Sequence, residues 1–507
     1  METTTPAVDA VSEFEGVSLG DRRLDRRLVR LVSHLQKRPG ASLPEVFADP
    51  SQLEGAYRFI ENERVAAEDI LEPHQALTAA RCAALDKVLV IHDSTTFAFE
   101  GGAREGMGVV DPTNKPGFYA HFSLCVGLDG EPLGVAHAYA WSRYGKVHGK
   151  LPQKVSQYLP DRESLRWNDG VHHVANAVRQ AADALGRAPE LIHVMDREGD
   201  CLEFLADMIA NDHSFVTRAK TNRRLSPGVG EGGGRLFDEV AQTAAQATRC
   251  VTITRRVKEG VTVQQRNPNR LGGRARKVVK TWSQTRTASL EIRAMSTTIY
   301  GAYGHHAHVP KEGLRLNVVH VQEVDVPEGV EPVCWYLLTN QPVETVEQIE
   351  FVVDCYRRRW LIEEFNKAIK TGCNFEKHQF EHGSRYMRML AIYLPIAAQM
   401  LRARWFDRYR PDAEAMVVFT PDQIDALRAR EYQQGRTLPK RPTVAQTLSI
   451  VARLGGHLPQ NGPPGWLILS RGFTVLNDIT AGYCAAREWM RAESRGEEEP
   501  DEVPDEM

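Results

Sequence analysis

Residues 356–372, YRRRWLIEEFNKAIKTG, set carboxylates among cations in a pattern that could hold both a metal ion and a phosphate. Wound at about 100° per residue from Tyr356, Arg359 falls near 300°, Glu363 near 340°, Lys367 near 20° and Lys370 near 320°. One face therefore carries Tyr, Arg, Glu, Lys and Lys. A carboxylate there suits a hard divalent cation, and the flanking Arg and Lys suit phosphate oxygens. The plain alternative is a solvated helix laced with (i, i+4) charge pairs. The rest of the chain has to choose between them.

Two short apolar runs each lead to an aspartate. DKVLVIHD (86–93) ends on Asp93, and ELIHVMDREGD (190–200) carries Asp196. Both have the composition of fully buried strands. Between them, FYAHFSLCVGLDGEPLGVAHAYAW reads as two strands turning at Asp129-Gly130, followed by a helix from Val171 to Leu185. After Asp196 come another helix and a strand, SFVTRAK. This β-β-β-α-β-α-β order predicts an α/β, ribonuclease-H-like catalytic core, in which the first and fourth strands are neighbours at the sheet centre. Asp93 and Asp196 then meet, and the helix of residues 356–372 brings Glu363.

Taken singly, each aspartate reads more readily as a turn or cap residue than as a ligand. Three together repel one another unless cations neutralise them. Two Mg2+ ions about 4 Å apart, with Mn2+ able to substitute, meet that need and leave room for phosphate and water. The expected reaction is phosphodiester cleavage leaving a free 3′-OH. Asp93, Asp196 and Glu363 are its catalytic and metal-binding residues, with Arg359, Lys367 and Lys370 on the phosphates.

The bulk charge of −3 conceals unlike regions. Residues 493–507 hold eight acids and one arginine, so residues 1–492 sum to +4, and Val251–Met295 alone has eleven Lys/Arg against two Glu. Clustered positive charge is what a polyanion-binding surface requires. SLGDRRLDRRLVRLVSHLQKR (18–38) predicts an amphipathic helix with Leu24, Leu28, Leu31 and Leu35 on one face. Arg22, Arg23, Arg26, Arg27 and Arg30 occupy its other faces and point to DNA contact.

SPGVGEGGG (226–234) reads as a flexible linker and RNPNRLGGRARK (266–277) as an exposed loop. The expected organisation is an N-terminal helical DNA-binding domain (1–75) and a catalytic domain (76–390) with a β-rich basic insertion at about 222–335. A C-terminal helical domain (391–492) and an acidic disordered tail (493–507) follow. The eight cysteines lack metal-ligand spacing and read as reduced thiols of a cytoplasmic protein. The longest apolar run, MLAIYLPIAAQML (389–401), is too short for a membrane span and reads as a buried helix.

The spacing Y-(2)-R-(3)-E-(6)-K, met by Tyr356, Arg359, Glu363 and Lys370, resembles the signature of the DDE transposases of the insertion-sequence-four family. The chain looks most like that family's Tn-five-type cut-and-paste members. LGDRRLDRRL, EGAYRFIENERV, IHDSTT, VMDREGD and ARLGGHLPQNGPPGW extend the resemblance over roughly residues 12–490.

The resemblance implies that Asp93, Asp196 and Glu363 form the metal-binding triad. It also implies that Tyr356, Arg359, Lys367 and Lys370 touch transposon-end phosphates, with Arg218 and Lys220 helping on the backbone. Trp335 matches the tryptophan on which a flipped base stacks, its alternative being a core tryptophan. His121 stands either near the metals or in the core. The implied reaction nicks each end, forms and reopens a DNA hairpin, and joins the 3′-OH ends to target DNA within a homodimer whose C-terminal helices pair. The implied setting is a bacterial cytoplasm, at the nucleoid when DNA is bound. His92 is a departure, since the Tn-five-type member that the chain most resembles carries an acid there. The alternatives are an inactive DNA-binding protein that keeps this fold and a simple nuclease of the ribonuclease H type.

Overall fold

The computed structural model describes residues 10–110, 114–142, 163–226, 234–265, 274–301 and 309–495. Most of the 226–234 linker, most of the 266–277 loop and all but the first residues of the acidic tail lie outside the described residues. The chain divides into two compact units, Met1–Val194 with Arg358–Met507, and Met195–Arg357.

The first unit begins with α1 (Arg22–Leu35), started by the Asp21 carboxylate, which accepts from the Arg23 amide at 2.8 Å. Leu28, Leu31, Val32 and Leu35 are buried, whereas Arg22, Arg23, Arg26, Arg27 and Arg30 are all exposed. α2 (Leu43–Val46), α3 (Pro50–Glu61) and α4 (Ala67–Ala83) follow.

The sheet of this unit contains β1 (Lys87–Ala98), β2 (Gly108–Val110), β3 (Lys115–Gly127), β4 (Pro132–Trp141) and β5 (Glu190–Met195). β3 pairs antiparallel with β1, β2 and β4, and β1 pairs parallel with β5. The first and fourth strands of the expected order are thus neighbours. Asp129 and Gly130 make the turn between β3 and β4, Gly130 with φ of 95°. β1 outruns the apolar stretch, because Ser94–Ala98 continue the ladder to Gly117–His121.

Alternation along β1 sends its residues to two different cores. Val88 and Val90 pack with Cys82 of α4 and with Val174 and Val178 of α5 (Glu163–Asp183). On the opposite face Phe97 meets Phe375 edge-on, with ring centroids 5.2 Å apart.

The second unit is a sheet of β6 (Ser214–Arg218), β7 (Ala247–Gln265), β8 (Arg274–Ile299), β9 (Leu314–Val324) and β10 (Cys334–Thr339). These are antiparallel in the order β6-β10-β9-β8-β7. α6 (Leu202–Ala210), α7 (Leu236–Gln242) and α8 (Val346–Arg358) accompany it.

Residues 356–372 do not form the one continuous helix expected. α8 stops at Arg358, α9 (Trp360–Lys367) follows, and Ala368–Gly372 is a π-helical turn. The wider turn shifts the helical phase just where Lys370 lies. The apolar run 389–401 sits inside α10 (Gly383–Tyr409) and is almost wholly buried. α11 (Pro421–Gln433), α12 (Val444–Leu454) and α13 (Trp466–Arg495) complete the first unit. α12 and α13 approach closely at glycine: a Cβ on Gly472 would stand 2.1 Å from the Val451 carbonyl oxygen. Among the described residues no helix is long and apolar enough to cross a membrane, and all eight cysteines are free.

Candidate active site

β1 places Asp93, Thr95 and Phe97 on one face, and the segment carrying α9 and the π turn reaches that face. Asn366 donates through Nδ2 to Asp93 Oδ2 at 2.9 Å. Lys370 donates through Nζ to Thr95 Oγ1 at 2.8 Å and stands 5.2 Å from the centre of the Phe97 ring. Burial lowers the Lys370 pKa, while the nearby Glu376 and Asp93 carboxylates oppose that shift. One short strand segment and one helix end therefore hold a carboxylate, an amide and a mostly buried ammonium together.

Glu363 lies three residues before Asn366 on α9, and Arg359 donates to its Oε1 at 2.5 Å. The Glu363 side chain keeps 30% of its surface exposed. Lys367 behaves differently from its expected place beside Glu363. It bonds Glu364 at 2.7 Å and lies 4.9 Å from the centre of the exposed Trp360 ring. Glu364 is held in turn by the Trp466 indole at 3.1 Å, so this second acid is a structural partner of α13.

The other face of β1 holds histidines. His92 shares hydrogen bonds with His193 at 2.8 Å and with Ser123 at 3.1 Å, and Ser94 meets His121 at 3.1 Å. Trp167 of α5 covers this group, its ring 5.1 Å from that of His121. Burial is the main cause that brings the His121 pKa down to about 3 and the His137 pKa to about 4. His121 is completely buried in this cluster.

In the second unit Asp196 caps a 3-10 turn, Arg197–Gly199, with its Oδ1 accepting from the Glu198 amide at 2.7 Å. The β1–β5 register ends on Ile91 opposite Val194. Asp200 of the same motif is fully buried, ion-paired to Arg223, and accepts from the Lys220 and Thr221 amides at 2.7 and 3.0 Å. The Lys220 backbone is thereby fixed while its side chain stays exposed. Arg218 donates to the Cys334 carbonyl at 2.9 Å, bracing the start of β10 next to Trp335. Trp335 packs edge-on against Tyr356, with centroids 5.3 Å apart. Tyr356 is buried and Trp335 half-buried.

Among the described residues no three His, Cys, Asp or Glu side chains are gathered so as to hold a metal ion. Asp93 and Glu363 instead each meet a protein donor, Asn366 and Arg359. Their donor set is nonetheless all oxygen, as a hard cation requires. The buried Oδ1 of Asn366 has no hydrogen-bond partner among the described residues. Asn366, Thr95 and the His92–His193 pair are absent from the signature spacing. Only Asn366 had a signal: at about 280° on the same winding it shares the Glu363–Lys370 face.

Comparison with known families yields two matches. Residues 10–65 match the family described as transposase DNA-binding, and residues 168–394 match the transposase DDE domain. Among solved structures, the chain matches a piggyBac transposase synaptic complex with hairpin DNA, at 9% identity and a TM-score of 0.32. That match covers 90% of this chain and 66% of the other.

Proposed function

We propose that the chain, which matches a transposase DNA-binding family over residues 10–65 and the transposase DDE domain over residues 168–394, is a DDE transposase, and specifically a cut-and-paste enzyme of the insertion-sequence-four type. In this reading it binds transposon ends, cleaves them by metal-dependent phosphodiester hydrolysis through a DNA hairpin, and joins the 3′-OH ends to target DNA. The observation that carries it is the seating of α9 and its π turn on β1, where Asn366 bonds Asp93 and Lys370 bonds Thr95, on the same helix as Glu363.

Asp93, Asp196 and Glu363 are the residues that would hold divalent cations. When bound, such ions supply activation of the attacking oxygen and charge stabilisation of the leaving one. Lys370, already paired to a hydroxyl at the strand, is placed to hold a phosphate oxygen there. Arg359 can exchange its Glu363 contact for phosphate once a cation neutralises that acid. Trp335, braced by Tyr356 and half-exposed, supports the reading of a stacking platform for an extruded base. The C-terminal helical residues 391–492 are the proposed dimerisation region, and the proposed setting is the bacterial cytoplasm.

The test is cleavage of a labelled duplex carrying the matching transposon end, in Mg2+, resolved on a denaturing gel. A cut at the end together with a hairpin product supports the proposal. A cut with no hairpin species at any time removes the hairpin route.

The exposed arginines of α1 give a second measurable consequence. Each phosphate contact contributes about 0.9 to the slope of log affinity against log salt. Replacing Arg22, Arg26 and Arg30 together by Ala is expected to flatten that slope by about 2 to 3. Alanine favours helix, and these side chains are exposed, so α1 should persist. An unchanged slope, measured by titration at several salt concentrations, would remove α1 from the DNA interface.

A further inference from the structure

We infer that Asn366 belongs to the cation site, orienting Asp93 through its amide nitrogen and presenting its amide oxygen to a divalent cation. The inference rests on the DDE reading of Asp93 and Glu363 and adds to it a residue outside the signature.

The orientation of the amide is fixed by its partner. Asp93 Oδ2 lies 2.9 Å from Asn366 Nδ2, and reversing the amide would press one acceptor oxygen against another. Oδ1 must therefore be the second arm, and it is buried without a partner among the described residues. A buried acceptor left unsatisfied costs about 1–3 kcal/mol, so such atoms are rare unless something outside the chain completes them.

What sets this oxygen apart from the other unsatisfied buried atoms is the Asp93 carboxylate beside its amide, which favours a cation as its partner. An amide oxygen is a hard, neutral donor of the kind that divalent Mg2+ or Mn2+ accepts beside carboxylates. The residue follows Glu363 by three positions on α9, so helical spacing keeps the two on neighbouring parts of one face, and both Asn366 and Lys370 reach β1, at Asp93 and Thr95. Neutrality also matters. An aspartate at 366 would add a negative charge against Asp93, whereas asparagine adds an oxygen and a hydrogen-bond donor without one.

The probe is Mn2+ alone, added to the full-length chain without DNA. Its binding is read by electron paramagnetic resonance and by the rise in melting temperature. Asn366→Leu, which removes both arms at similar volume, is expected to weaken Mn2+ about 10- to 100-fold, the usual cost of losing a residue that orients a metal ligand. Asn366→Asp keeps an oxygen but sets two acids together. It is expected to melt below the native chain without metal, and to gain more than the native chain from Mn2+.

A folded Asn366→Leu that binds Mn2+ as the native chain does would overturn the inference. So would an Asn366→Asp whose melting temperature drops yet rises no further with Mn2+ than the native one, since that describes a purely structural clamp. Asp93→Asn is the control for the underlying reading. If it too leaves native Mn2+ binding untouched, the Asp93 site itself has failed, a result distinct from failure at Asn366 alone.

Discussion

Glu363→Gln is expected to bind an end duplex at least as tightly as the native chain and to cut it at least about 10³-fold more slowly, equal to about 4 kcal/mol of lost transition-state stabilisation. The substitution keeps the shape of the side chain and removes only its charge. In the free protein that charge pairs with the mostly buried Arg359, and a glutamine keeps an oxygen for its guanidinium to donate to, so the (i, i+4) contact is weakened and not lost. Removing an acid from a face meant for phosphates cannot weaken electrostatic attraction to DNA. Slower cutting with intact binding would thus report the catalytic step and not the fold. Asp93→Asn should give the same split. A Glu363→Gln protein that cuts within about tenfold of the native rate would remove Glu363 from the reaction. Native protein that binds the end and never cuts, in Mg2+ or Mn2+, would leave the inactive DNA-binding alternative in its place.

Periodic patterns were the legible part of this chain. Leu28, Leu31 and Leu35 repeat at helical spacing and are buried, and the arginines between them are exposed, so α1 is readable from binary pattern alone. The runs VLVI and LIHVM are readable as buried strands for the same reason, and their parallel pairing follows from the element order. What escaped has a physical cause in each case. Ser94–Ala98 lack an apolar run, and only the ladder to β3 makes them strand. The break between α8 and α9 carries no Gly or Pro, so nothing local announces it. Lys367 could pair with Glu363 or Glu364, at four or three residues' distance, and packing of Trp360 beneath its ammonium favours Glu364. Asn366 carries no charge, and an amide gains meaning only once its carboxylate partner is known.

The buried histidines lead to a prediction on stability. His121, His137 and His378 have folded pKa values of about 3, 4 and 4, each lowered chiefly by burial. A histidine in the unfolded chain titrates near 6.5, so below that pH the unfolded state takes up protons that the folded state refuses. Their contribution to stability is complete above about pH 6.5 and is lost as pH falls toward the folded values, at about 1.4 kcal/mol per pH unit for each group. Three groups acting together remove about 4 kcal/mol per unit, which by pH 5 approaches the whole stability of an ordinary domain. Carboxylate effects begin lower, because an unperturbed Asp or Glu titrates near 4. The expected observation is a steep fall in melting temperature between pH 6.5 and 5, with His137→Gln shallower by one proton's worth. His137 is the informative choice, since its ring lies tilted against that of His173 with centroids 4.6 Å apart and its buried Nε2 has no partner among the described residues. A melting temperature that stays level from pH 7 to 5 would show that these histidines accept protons inside the fold, and that their surroundings are wet enough to hold the charge.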